Sequence, residues 1–349
     1  MSNKIKNRLI IAGIAVMFAA CQNKENEFFD FDYTSVYFPL QTPVRTLSLG
    51  DDRVDNSLDK ELKFNIGVSI GGLYTNTKNW SVTVERADDL VLNKILINDK
   101  GDTLKILSGE YIQSITPVLP ANVTIPSGEF NGLMTVQLKD AFLDDPKAFK
   151  NVYVIPLRIT ASTADSILTG LPATPNPNPY IASNWTVLPK DYTLFGVKFV
   201  NPYHGKYLHR GVDITKDASG ATLKTTNYRQ LYVERDQVVG LVTNGRNKVI
   251  SDFIGNTVST KGDYAMQLTV SSDGTVTISP VPGAKFAVTG TGTFAKAAGS
   301  GQEWGGEKRD ALFLEYRYAE GANTHEVRDT MVFRDRQIVF EQQVITFLK

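Results

Sequence analysis

The chain of 349 residues contains one cysteine, three histidines and three tryptophans, and its 37 lysines and arginines are balanced by 37 aspartates and glutamates. A single cysteine excludes an internal disulfide and any Cys-based zinc site. Without a cationic excess, nothing favours nucleic acid as a partner. His204, His209 and His325 have the spacing of neither a metal pair nor a zincin helix, and read as satisfied or solvent-exposed side chains. No Gly-x-Ser-x-Gly elbow, phosphate loop or dinucleotide fingerprint occurs. The acidic pairs Asp51-Asp52, Asp88-Asp89 and Asp144-Asp145 do not supply the facing carboxylates of glycoside hydrolysis, because adjacent strand residues point to opposite faces. They read as turns. The expectation is a protein that is not an enzyme and holds no cofactor and no metal. One alternative stays open, a calcium ion on Asp51, Asp52, Asp55 and Asp59, whose spacing is not that of an EF-hand.

Long apolar runs are also lacking. Leu9 to Ala20 is apolar over twelve residues, too short to span a bilayer, and follows Lys4, Lys6 and Arg8. This is the pattern of an export signal over residues 1–20. Met17-Phe18-Ala19-Ala20-Cys21 resembles the lipobox of bacterial lipoproteins, with Phe18 in place of the usual Leu. The resemblance implies that Cys21 is the lipid-bearing first residue of the mature chain, leaving 329 residues, enough for two domains. A polar, acidic stretch follows, and residues 21–34 are expected to be a flexible tether. Lys24, Glu25 and Glu27 loosely resemble the signal that sends Bacteroidetes lipoproteins to the outer face of the outer membrane.

From Val36 the hydrophobic period is two. Leu62, Phe64, Ile66, Val68 and Ile70 alternate up to Gly71-Gly72, and Trp80, Val82 and Val84 repeat the pattern. Strand, turn, strand then recurs at short spacing, which predicts an all-β, Ig-like sandwich over residues 35–170. Pro156 lacks a ladder donor and so is expected at an edge or a bulge. Val36-Tyr37-Phe38-Pro39, Pro43-Val44-Arg45-Thr46-Leu47, Asn122 to Gly128 and Ile155-Pro156-Leu157-Arg158-Ile159 resemble the N-terminal β-sandwich domain of Bacteroidetes surface lipoproteins. That family has no assigned chemistry, so no catalytic residue carries over.

Pro172, Pro175, Pro177 and Pro179 predict an extended linker over residues 171–190. A second strand series is expected over residues 191–349, starting with Thr193, Phe195, Val197 and Phe199 and continuing through Tyr228–Glu234 to Ile338–Phe347. Asp273-Gly274 is a hairpin signal. Eight or more antiparallel runs without a covering helix argue for a closed barrel, of a kind that often holds one small ligand. Leu194 to Lys198, Asn201 to Tyr207 and Arg210-Gly211 resemble the C-terminal lipocalin-like (calycin-like) domain of the same lipoproteins. The setting implied by the resemblance is a polysaccharide-utilisation system, with polysaccharide or oligosaccharide as ligand, the membrane reached through Cys21, and an outer-membrane importer complex as a neighbour.

Sugar recognition uses aromatic faces flanked by amide and carboxylate groups. Gly299 to Glu307 places Trp304 among glycines with Gln302, Glu303 and Glu307 beside it, and these four residues are the candidate glycan site. The competing reading makes Trp304 a plug in the barrel mouth. Tyr316 and Tyr318 share one strand face, Tyr228 and Tyr232 another, and both pairs read as core or barrel lining.

Overall fold

A computed structural model describes residues 31–259 and 261–348; the signal sequence, Cys21 and most of the tether lie outside them. Two bodies are built almost wholly of strands. Among the described residues, helix is confined to short turns such as Ser57–Lys60 and Asp140–Asp144.

The first body is a β-sandwich. One sheet holds, in spatial order, Ser166–Ile167, Ser35–Tyr37, Lys63–Gly71, Asn131–Leu138 and Ile112–Thr116. Opposite it lie Glu341–Gln342, Pro43–Ser48, Tyr192–Val200, Tyr153–Ser162, Trp80–Arg86 and Ala121–Ile125. The alternating residues meet between the sheets: Phe64, Ile66 and Val68 from one side, Val82, Val84 and Val123 from the other, all fully buried. At ~1.5–3 kcal/mol for each large side chain, that alternation is the main source of the sandwich's stability.

Tyr192–Val200 corrects the expected boundary. This strand belongs to the sandwich, antiparallel to Tyr153–Ser162 and parallel to Pro43–Ser48. Both its faces are covered, with Val197 and Phe199 in the main core and Tyr192 and Leu194 in a second, smaller one. The Pro-rich stretch before it is not an extended linker either. It closes on itself, Leu171–Pro172 pairing with Trp185–Val187, and is held to the sandwich where the Tyr180 hydroxyl donates to the Leu90 carbonyl at 2.7 Å. The chain crosses to the second body at Asn201, whose fully buried side chain donates to the carbonyls of Gly245 and Lys248.

Pro156 sits in a central strand and not at an edge. On one side its strand pairs with Lys105–Ile106 at Tyr153 and Val154, then with Trp80–Arg86 from Leu157 onward. The missing N–H falls in the gap between the two partners.

The second body is a closed antiparallel barrel of eight strands, with Gly205–Lys216 and Asn323–Asp335 sealing it. Thr222–Tyr228 extends the wall beside Gly205–Lys216, and residues after it form a loop with a 3-10 turn at Val233–Arg235 in place of the expected strand. Val270 and Thr275 flank the Asp273-Gly274 turn as expected. The interior that ligand-binding barrels leave open is filled, by Tyr207, Leu241, Leu268, Leu312 and Met331, together with Phe253 and Ile254.

Residues after Asp335 leave the barrel. Glu341–Gln342 pairs with Pro43–Val44, Thr346–Leu348 pairs with Ile95–Ile97, and Phe347 stacks on Tyr180 with ring centroids 6.4 Å apart. The expected last barrel strand is therefore a tail that returns to the sandwich, and the chain crosses the junction twice.

Candidate functional site

Gln302 to Arg309 forms a tight hairpin outside the barrel wall. Glu303–Trp304 pairs with Glu307–Lys308 around Gly305 and Gly306, both at positive φ (62° and 75°), a turn that glycine makes without strain. The indole N–H of Trp304 donates to the Phe333 carbonyl at 3.0 Å, and the Arg309 guanidinium lies 4.3 Å from the ring centroid. Trp304 is half-buried. It is neither a plug inside the barrel nor an open platform; it pins the hairpin to the last strand and carries Arg309 on one face.

That anchoring aims the hairpin at the sandwich. Arg309 pairs with Glu307 at 2.7 Å, and its N–H bonds to the Gln302 carbonyl at 2.9 Å. Glu307 to Asp310, Phe333 to Arg336 and the sandwich loop Asp51 to Arg53 line a cleft of about 460 Å³ at the domain junction. Of the four candidates, Glu307 lines this cleft, Gln302 and Trp304 support it from behind, and Glu303 is exposed on the paired strand. The hairpin also packs against the Val233–Arg235 turn, beside the exposed Tyr232.

The junction is held by charge and by close approach. Lys296 of the barrel bridges Asp51 of the sandwich and Asp310, at 3.3 Å each. Hydrogen bonding to Lys60, then the charge and hydrogen bond of Lys296, hold the Asp51 carboxyl below its usual range. Arg336 is buried and donates to the carbonyls of Asp51, Pro202 and His204. A side chain at Gly50 would collide with its guanidinium.

The carboxylates weighed for calcium turn to separate partners. Asp59 pairs with Arg45 and accepts from the Ser48 N–H at 3.0 Å, Asp52 accepts from the Arg53 N–H, and Asp55 from the Ser57 N–H. Among the described residues, no three ligating side chains gather as a cation site.

Two histidines belong to a buried network that reading them singly misses. His209 and Asp213 lie on one strand, His325 and Asp329 on its antiparallel neighbour, and each histidine faces the other strand's aspartate: His209 Nε2 is 3.1 Å from Asp329, and His325 Nδ1 is 2.9 Å from Asp213. Tyr228 and Tyr316 donate to Asp329, the latter at 2.6 Å. Burial, then the Asp329 charge, raise the Tyr316 phenol well above its ordinary pKa. The signal was present in the sequence, as two His-x-x-x-Asp runs in strand phase. The network lies within the packed barrel interior.

The fold and junction define a two-domain, all-β protein. Residues 31–166 match a family described as an N-terminal domain, and residues 202–337 match a domain of unknown function, DUF5627, whose limits are those of the barrel. A crystal structure of a Bacteroides ovatus protein of unknown function is similar at 31% identity and TM-score 0.77, covering 91% of this chain and 99% of that one. The chain belongs to the same two-domain family as that protein. A multidomain Bacteroides ovatus protein that includes DUF1735 is 12% identical at TM-score 0.41, covering 88% of this chain and 97% of its own. An auxiliary nutrient-binding protein from Bacteroides thetaiotaomicron is 13% identical at TM-score 0.37, with 84% and 92% covered. No curated protein matches.

Proposed function

We propose that this chain is a non-catalytic, lipid-anchored cell-surface protein that binds glycans within a polysaccharide-utilisation system. The observation that carries the reading is the junction cleft, where Glu307 and Arg309 on a Trp304-anchored hairpin face the Asp51 to Arg53 loop. Convergent carboxylate and guanidinium groups beside an aromatic ring are the chemistry that hydrogen-bonds sugar hydroxyls. The lipobox-like run ending in Cys21 supports the anchor, and the outer membrane's exterior face is the proposed location. Residues 22–349 screened against plant, mucin and microbial polysaccharides should retain one class without releasing reducing sugar. Retention of none, or sugar release, contradicts the reading. Cys21→Ser should release the protein from the membrane fraction, and unchanged fractionation removes the anchor.

A second reading, attachment to another protein such as an importer component, is favoured by one feature. Val339 and Phe340 of the tail are 66% and 68% exposed beside an apolar cleft of about 410 Å³ on the sandwich. Co-purification with an importer in the absence of any retained glycan decides for it.

A further inference from the structure

Where the returning tail meets the sandwich, three side chains from distant parts of the chain converge. Lys198 lies on Tyr192–Val200, Asn151 just before the neighbouring strand Tyr153–Ser162, and Glu341 on the tail's short strand Glu341–Gln342. Lys198 Nζ is 2.6 Å from Glu341 Oε1, and Asn151 Nδ2 donates to Glu341 Oε2 at 3.0 Å. One carboxylate therefore holds an amine and a carboxamide side by side.

These are the parts of an amide-forming reaction: a nucleophile, a carbonyl and a base between them. The Lys198 side chain is only 13% exposed. Desolvation opposes the Glu341 charge, yet hydrogen bonds from Lys198 and Asn151 hold its carboxyl below the usual range, so it starts ionised and able to accept a proton. The Asn151 backbone is fixed, its carbonyl accepting from Asn98 Nδ2 at 2.8 Å and from Gln343 Nε2 of the tail at 3.1 Å. Its side-chain Oδ1 makes no hydrogen bond, so a half-turn of the amide, which brings that oxygen to Glu341, breaks nothing at the oxygen end. Holding amine and carbonyl on one anchor makes their encounter unimolecular.

We infer that Lys198 and Asn151 become joined by a side-chain amide bond, with Glu341 as the proton carrier. Glu341 takes one proton from the Lys198 ammonium, and the freed nitrogen lone pair attacks Asn151 Cγ to form the new C–N bond. The carboxyl proton passes to the amide oxygen. Collapse of this tetrahedral intermediate re-forms the C=O, returns that proton to Glu341 and breaks the Cγ–Nδ2 bond. Nδ2 leaves as ammonia, its third hydrogen coming from the attacking nitrogen. Nothing is oxidised or reduced. The reaction happens once per chain and stands apart from the glycan-binding reading. Because Glu341 belongs to the tail, the bond forms only after the tail has returned to Pro43–Val44, and it then staples the strand that leads into the barrel to the start of its neighbour.

The test is tryptic mass mapping of residues 22–349, directly after purification and again after prolonged incubation. A joined chain yields a branched peptide, Asn151–Arg158 linked to Asp191–Lys206 and uncut at Lys198, lighter than the two together by one ammonia. Glu341→Gln keeps the size of the side chain and removes the base, and should slow the appearance of that peptide by about a hundredfold or more. Lys198→Arg should abolish it. Separate peptides ending at Arg158 and at Lys198 in the wild type at both times overturn the inference, as does a branched peptide that forms equally fast in Glu341→Gln. Loss of ammonia confined to the N-terminal peptide is Gln22 cyclising, and counts as the negative result.

Discussion

Arg336, just beyond the last barrel strand, donates its Nε–H to the backbone carbonyl of Asp51 in the sandwich, 3.1 Å away. The same guanidinium donates to Pro202 and His204 within the barrel and lies 4.5 Å over the Phe333 ring. One side chain thus ties the turn that enters the barrel, the start of the returning tail and the sandwich loop together.

Arg336→Met should leave those three carbonyls unpaired at the junction. The expected loss is about 2–4 kcal/mol of unfolding free energy by urea denaturation. A loss under about 0.5 kcal/mol, the scale of a neutral surface change, contradicts the role given to this residue.

His204 sets an acid limit. Burial, then the charges of Arg336, Lys198 and Lys206, push its pKa down to about 4 from 6.5. The unfolded chain takes up the proton below pH 6.5 while the folded chain refuses it until about 4. Stability is therefore complete above pH 6.5 and falls as pH drops toward 4, by about 3 kcal/mol in total. His204→Asn keeps an acceptor for the Thr243 N–H that His204 Nδ1 now receives at 3.1 Å, and removes the titration. Urea midpoints at pH 7 and pH 4.5 should differ less in the variant. An equal difference assigns the acid loss to other groups.

The returning tail makes the sandwich depend on the end of the chain. Phe347 packs on the smaller core with Leu96 and Leu194 and stacks on Tyr180. Phe347→Ala should cost about 1–3 kcal/mol, less than a fully buried Phe, and should lower the sandwich's transition. A nick anywhere in Leu171 to Ser183 should leave two fragments that co-elute under native conditions, because Tyr192–Val200 remains inserted between Pro43–Ser48 and Tyr153–Ser162. Fragments that elute separately and melt independently contradict this topology.

Strand content was legible because Phe64, Ile66 and Val68, or Leu312, Leu314 and Tyr316, alternate on the chain as they do in space. Partner choice was not. Tyr192–Val200 looked like the start of the barrel because a Pro-rich excursion separates it from the strands it joins, and no local pattern encodes a pairing across that distance. Ile338–Phe347 failed for the same reason. The stretch around Trp304 stands out by its glycines and single large ring, but neither its hairpin nor its pinning to Phe333 is written in that pattern, and its partner wall, Asp51 to Arg53, read only as a turn.

The central claim is that a glycan binds at the domain junction beside Trp304. The direct measurement is calorimetric titration of the retained polysaccharide into residues 22–349, wild type and Trp304→Ala, with a thermal melt of each. Trp304→Ala removes the anchor of the hairpin, so affinity should fall about tenfold or more. Stability should fall by only about 1–2 kcal/mol, because the ring is half-buried on the outer wall and not packed in a core. Unchanged affinity in a variant whose melt has dropped would contradict the account: Trp304 would then be a purely structural residue, and the junction would not be where the glycan binds.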